Sequence, residues 1–218
     1  ILQNTIINND STATSSLSFA PGAANSTPQA SGVVTEVHSQ ALLLILDTSG
    51  PTEPDYSNPV LVNNLIWHNR SGYNDASLNN GAGGLAGNPK GLYWDVYVPP
   101  GENNSRHLNP VRCFLSQQVD PNTGYDYGAN NFYVDPLVVD PYFNTVESTS
   151  IIDEGGNNIA VRYTPLLPAQ GNYHIQAASP ARDNGQGVVS YGFPPLSFDF
   201  DGQTRNISMP DVGADEYH

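Results

Sequence analysis

The last forty residues constrain this chain most. Ser179-Pro-Ala-Arg-Asp-Asn-Gly185 is followed by Asp199-Phe-Asp-Gly202, then Arg205, then Asp211-Val-Gly-Ala-Asp-Glu216. Glycine, proline and aspartate crowded so closely forbid a long helix and demand tight turns. Arg205 stands among the carboxylates of Asp199, Asp201, Asp211 and Glu216. It is expected to be buried and to pair with Asp211 or Glu216, while Asp201 caps a turn. With Asp183, these groups would form a structural closing network of charge-assisted hydrogen bonds. Asp199-x-Asp201-Gly202 also sets carboxylates on alternate residues before a glycine, as calcium loops do. Calcium at Asp199 and Asp201 is the one cofactor expected, although the remaining ligand offsets of an EF-hand are missing.

Composition narrows the rest. Hydrophobic residues make up 38% of 218, with 12 Tyr and 7 Phe, enough for a packed core. Only 13% are charged, and Lys90 is the sole lysine. Asn, Ser, Thr and Gln supply the polarity, a palette suited to strands and turns. Twenty Gly and 18 Pro punctuate the chain. A net charge of −14 argues against a nucleic-acid partner, which requires clustered Lys and Arg, and against anionic lipid. Cys113 is alone, which excludes an internal disulfide, a thiolate zinc cluster and covalent haem attachment. The best apolar run, Ala41-Leu-Leu-Leu-Ile-Leu46, is strand-length, so no membrane insertion is expected. The sequence opens on Ile1 without a signal peptide and reads as a mature product or a fragment.

A short phrase recurs. Ile1-Leu-Gln-Asn-Thr-Ile-Ile-Asn-Asn9 returns as Pro59-Val-Leu-Val-Asn-Asn-Leu-Ile-Trp-His-Asn69, an aliphatic strand flanked by asparagines. Asparagines at equivalent corners can stack and hydrogen-bond from layer to layer. Strands are expected at 1–9, 33–37, 42–46, 60–66 and 134–139, stacked in parallel about 4.8 Å apart. One structural domain would comprise coils at 1–70 with a loop at 11–31, a loop-rich insertion at 71–110, and final coils with the closing segment at 111–218.

The closing run, with Asp135-Pro-Leu-Val-Val-Asp140 and Gly171-Asn-Tyr-His-Ile-Gln176 before it, resembles the C-terminal part of secreted right-handed parallel β-helix surface proteins. That resemblance implies an all-β fold, a right-handed parallel β-helix (solenoid) with long loop insertions, and an extracellular or cell-surface location. Asn184 departs from the alanine common at that place. A second resemblance rests on Asn64-Leu-Ile-Trp-His-Asn-Arg70, Tyr93-Trp-Asp95, Leu108-Asn-Pro110, Tyr142-Phe-Asn144 and Asp153-Glu-Gly-Gly-Asn157. These are similar to the ends of very long surface proteins of metal-reducing bacteria, and imply an extracellular redox setting.

Catalytic patterns are sparse. His38, His68, His107, His174 and His218 show no H-x-x-x-H spacing, and no G-x-S-x-G elbow exists. Lyases of the β-helix class need a Lys or Arg base, but Lys90 lies in a Gly-rich insertion. Asp135, Asp140 and Arg162 could cluster, and Asp120 and Asp126 could join glycosidase carboxylates, yet turns consume aspartate in any protein. Tyr and Trp around the insertions either stack on sugars, making carbohydrate a partner, or pin loops to the coils. Glycosylation sequons stand at Asn9, Asn25, Asn69, Asn103 and Asn206.

The expected function is non-catalytic: an extracellular structural or interaction module, the terminal part of a larger surface protein or assembly. An upstream domain or another chain would cover the first coil, because an open coil exposes core and backbone. A polysaccharide lyase or hydrolase is the first alternative. A partner subunit in an extracellular redox assembly, beside a cytochrome or copper protein, is the second.

Overall fold

The computed structural model describes residues 1–46, 54–143, 148–152, 158–162 and 171–218, with 148–152 and 158–162 described by backbone alone. In chain order its strands are β1 (Thr5–Ile7), β2 (Asp10–Ser11), β3 (Val33–Val34), β4 (Leu61–Val62), β5 (Leu65–Trp67), β6 (Arg70–Asp75), β7 (Gly84–Gly87), β8 (Val96–Tyr97), β9 (Pro110–Val111), β10 (Phe114–Leu115), β11 (Val138–Asp140), β12 (Ser148–Ile152), β13 (Asn158–Arg162) and β14 (Asn172–Ile175).

The two asparagine-flanked phrases lie side by side. β1 pairs with β5, and β5 with β10, all in parallel, with Thr5, Ile6 and Ile7 opposite Leu65, Ile66 and Trp67. The offset of 60 residues persists from Leu2 opposite Val62 to Ser11 opposite Ser71. The cause is local. Gln3, Asn63 and Arg112 adopt left-handed backbone, with φ of 52°, 56° and 52°, and turn the chain before each strand. Asn8 and His68 do the same after β1 and β5. Such corners cost a non-glycine residue about 1–2 kcal/mol. Hydrogen bonds between layers offset that cost. Asn64 Oδ1 accepts from Asn4 N at 3.0 Å, and its Nδ2 donates to Ile1 O and Val62 O. Asn69 Oδ1 accepts from Asn9 Nδ2 at 2.8 Å, while its Nδ2 donates to Ile6 O and Asp95 Oδ1. Cys113 takes the corresponding place in the next layer: Asn64 N donates to its Sγ, and Cys113 N donates to Asn131 Oδ1.

Alternation along the stacked strands separates two cores. Ile66 and Leu115 face a cluster with Leu61, Val96 and Leu108. Leu65 and Phe114 face the opposite cluster, completed by Ile175, Ala181 and Val212. Those last three residues come from β14 and the closing segment. The chain's end therefore lies flat against the flank of the β1–β5–β10 sheet.

This arrangement corrects the expected parallel β-helix. The described strands fall into six separate sheets of two or three strands, and none forms a closed or solenoid sheet. Three pairings are antiparallel: β6 with β7, β11 with β14 and β12 with β13. The physical reason is the shortness of each ladder. Left-handed corners end a strand after two or three residues, and the hairpin β6–β7 diverts the chain sideways. The expected strand at 42–46 is also corrected. Gln40–Leu46 forms the helix α1, since its Leu, Ala and Gln are good helix formers and Ser39 Oγ accepts from Leu42 N at 3.2 Å. At 134–139, Pro136 and left-handed Leu137 delay pairing until Val138, and β11 then runs antiparallel to β14. At 33–37, β3 forms in parallel with β8, and Val37 makes an isolated antiparallel bridge to Tyr56. Within the expected insertion, β8 and β9 thus return to parallel ladders.

Candidate metal centre and the closing network

Arg205 is buried at the centre of the closing segment. Its Nη1 donates to Glu216 Oε2 at 3.4 Å, Nη2 donates to Gly213 O at 3.0 Å and to Ala214 O, and Nε donates to Phe198 O. Glu216 is engaged twice more, accepting from Asn206 N and Asp211 N. Burial pushes the Glu216 carboxyl up and the Arg205 guanidinium down, each against the attraction of the other. Asp211 binds backbone instead of the arginine. Its Oδ1 accepts from Asp183 N at 2.6 Å and its Oδ2 from Tyr217 N at 2.7 Å, while burial raises its carboxyl. Asp183 contributes that amide from a left-handed corner. Asp199 Oδ1 accepts from Asp201 N and Gln203 N, holding the D-F-D-G turn. Thus Arg205, Glu216, Asp211 and Asp183 share one network, and Asp201 lies outside it.

Asp201 points toward β14. Its Oδ2 lies 2.5 Å from His174 Nε2, with these side chains 34% and 44% exposed. Beneath them Asp215 is 3% exposed. One ligand atom each from His174, Asp201 and Asp215 fall within 4.8 Å of one another, an arrangement able to hold a metal ion. Asp215 Oδ2 accepts from Ile175 N at 2.8 Å. Among the described residues Asp215 Oδ1 is sealed from solvent with no hydrogen-bond partner, and so is Asp199 Oδ2. The hydrogen bond with Asp201 raises the His174 imidazole above its ordinary value, reinforced by the charge of Asp215. The expected pair Asp199 and Asp201 is therefore only partly the cluster. His174 and Asp215 were missed because nothing in their spacing announces the fold of β14 against the terminus.

Asp120, Asp126 and Asp135 have structural duties. Asp120 Oδ2 accepts from Trp94 Nε1 and Tyr127 OH, and its Oδ1 from Thr123 N. Asp126 holds a turn through Gly128 N, and Asp135 does so through Leu137 N. Lys90 Nζ donates to Asn122 Oδ1. His68 is stacked between Trp67 and Tyr93, and burial lowers its imidazole. The side chain of Arg162, and Asp153 to Asn157, lie outside the described residues. Of the sequons, Asn69 is fully buried with both amide atoms bonded, so it cannot carry a glycan in this fold. Asn9, Asn25, Asn103 and Asn206 are exposed. A cleft of about 240 Å³ is lined by Trp67, His68, Asn8, Asp135, Val138 and Phe143. No helix among the described residues is long and apolar enough to cross a membrane.

No protein-family model matches the chain, and no curated protein and no solved structure matches it.

Proposed function

We propose that this chain is a non-catalytic structural and interaction module of a larger extracellular or cell-surface protein or assembly. One observation carries the reading: the closing segment is built to fasten, with Ile175, Ala181 and Val212 sealing a sheet face and Asp211, Glu216 and Arg205 bonded into backbone. Carboxylates saturated by backbone donors make poor acids, bases or nucleophiles. The partner would meet the edge of β1. Asn4 O accepts from Leu65 N and Asn8 N donates to Trp67 O, so even-numbered residues face β5 and the odd-numbered amides of Thr5 and Ile7 face away. Ile1, 43% exposed, lies beside this edge. Such an edge pairs readily with another strand, from an upstream domain or another chain.

The cation expected at the terminal turn belongs to the same reading. A divalent ion would clasp the D-F-D-G turn to the rest of the closing segment. Carbohydrate is a second reading, favoured by the Trp67 face in the cleft beside Asn8 and Asp135.

Light scattering tests the module. The isolated chain should self-associate through the β1 edge, and Ile1→Lys, a charge placed at the exposed residue beside that edge, should shift it toward a monomer. A stable wild-type monomer whose Thr5 and Ile7 amides resist hydrogen exchange would overturn the docking role.

A further inference from the structure

The carboxylate of Asp215 is a conspicuous group in the closing segment. It is almost wholly buried, yet Oδ1 has no donor among the described residues. Burying a bare carboxylate oxygen costs more than burying a neutral acceptor, and a cation beside it removes that cost. A second orphan, Asp199 Oδ2, lies in the turn that carries Asp201. His174 is oriented as metal-binding histidines are. Asn172 Oδ1 accepts from His174 N at 3.1 Å, which fixes that atom as the amide oxygen. The same oxygen lies 2.6 Å from His174 Nδ1, so Nδ1 must donate to it. Nε2 is thereby turned toward Asp201 and Asp215. A histidine whose far nitrogen donates to a carbonyl is held in the direction a metal requires, and the Nε2 proton shared with Asp201 is released to solvent when an ion takes its place.

We propose that His174, Asp201 and Asp215 bind a divalent transition ion of the zinc class, with Asn172 as the positioning residue. The inference rests on reading the terminal turn as a cation clasp and names the ion. Calcium takes six to eight oxygen ligands, whereas one imidazole with two carboxylates suits zinc, cobalt or manganese. Three protein ligands leave a further position for water. Ligands around such an ion stand about 3.4 Å apart, from bond lengths near 2.1 Å in tetrahedral geometry. His174 and Asp201 therefore separate slightly on binding, as their partial exposure permits. The ion would tie β14, the D-F-D-G turn and the chain's end together.

Titration calorimetry of the full chain, freed of metal by chelation, tests this with Zn²⁺ and Ca²⁺ in turn. Co²⁺ serves as an absorbing probe, and the His174 ring nitrogens are followed by NMR. One equivalent of Zn²⁺ should bind, the His174 Nε2 resonance should move, and excess Ca²⁺ should not displace the ion. His174→Ala, a change at a half-exposed side chain, should weaken Zn²⁺ at least about tenfold, and Asn172→Ala about 10–100-fold. Binding of Ca²⁺ but not Zn²⁺ would overturn the inference and leave the clasp standing. Binding of neither ion would remove both, leaving a His174–Asp201 ion pair. Zn²⁺ binding that leaves the His174 resonance unmoved in the wild-type chain, or is unchanged in His174→Ala, would place the ion elsewhere and also overturn it.

Discussion

Asp95 shows how much a single side chain can couple in this molecule. It is buried between layers, accepting from Asn69 N, Asn69 Nδ2 and Ser116 N. Burial outweighs these donors and pushes its carboxyl up to about 6. A raised acid binds its proton more tightly in the folded state. Its stabilising contribution is therefore complete below about pH 4 and is lost as pH rises through about 6. Carbon-13 NMR should show an Asp95 midpoint near 6, and a midpoint near 4 would contradict its burial. The wild type should lose about 2 kcal/mol of stability relative to Asp95→Asn between pH 4 and 7, because only the wild type titrates at this position. Arg205 gives the opposite kind of test. Arg205→Ala leaves Glu216 buried without its cation and should cost about 3–5 kcal/mol in a thermal or denaturant melt. Cys113 is buried, and burial pushes its thiol up to about 11. It should resist thiol reagents in the folded chain and react once on unfolding.

At the scale of elements, the contact between the closing segment and β1 is the informative one. Gly213 has a φ of 110°, and a Cβ there would stand 2.9 Å from Thr5 Oγ1 and 3.3 Å from Leu65 Cβ. Ala214 N donates to that same Thr5 Oγ1, and Gly213 N donates to Asn63 O. Gly213→Ala should therefore destabilise by about 1–3 kcal/mol and speed hydrogen exchange in the 211–217 segment before the β5–β10 ladder. Uniform protection in both segments would show that the close approach is not essential. The element expectations divide along the same physical line. Residues 1–9 and 60–66 were legible because the repeated phrase puts Asn4 opposite Asn64 and Asn9 opposite Asn69. Residues 42–46 were not, since a six-residue aliphatic run suits a strand or a helix, and the Ser39 cap decides.

Across the whole molecule, parallel layering does not extend to a solenoid. A solenoid requires each coil to renew its pairing along every face, and here the antiparallel hairpins and short ladders prevent it. The sequence by itself determined what depends on neighbours in the chain: turn-rich strands, asparagine corners, a single unpaired thiol, and an arginine set among carboxylates. Only the tertiary structure decided which carboxylate meets which partner. Asp201 and Arg205 are close in sequence, but Asp201 turns to His174, 27 residues away, while Arg205 reaches Glu216. Asp215 and Glu216 are adjacent and serve separate networks. Spacing in sequence cannot say which partner either neighbour meets, and only the packing of β14 against the closing segment brings Ile175 N to Asp215 and leaves Glu216 to Arg205.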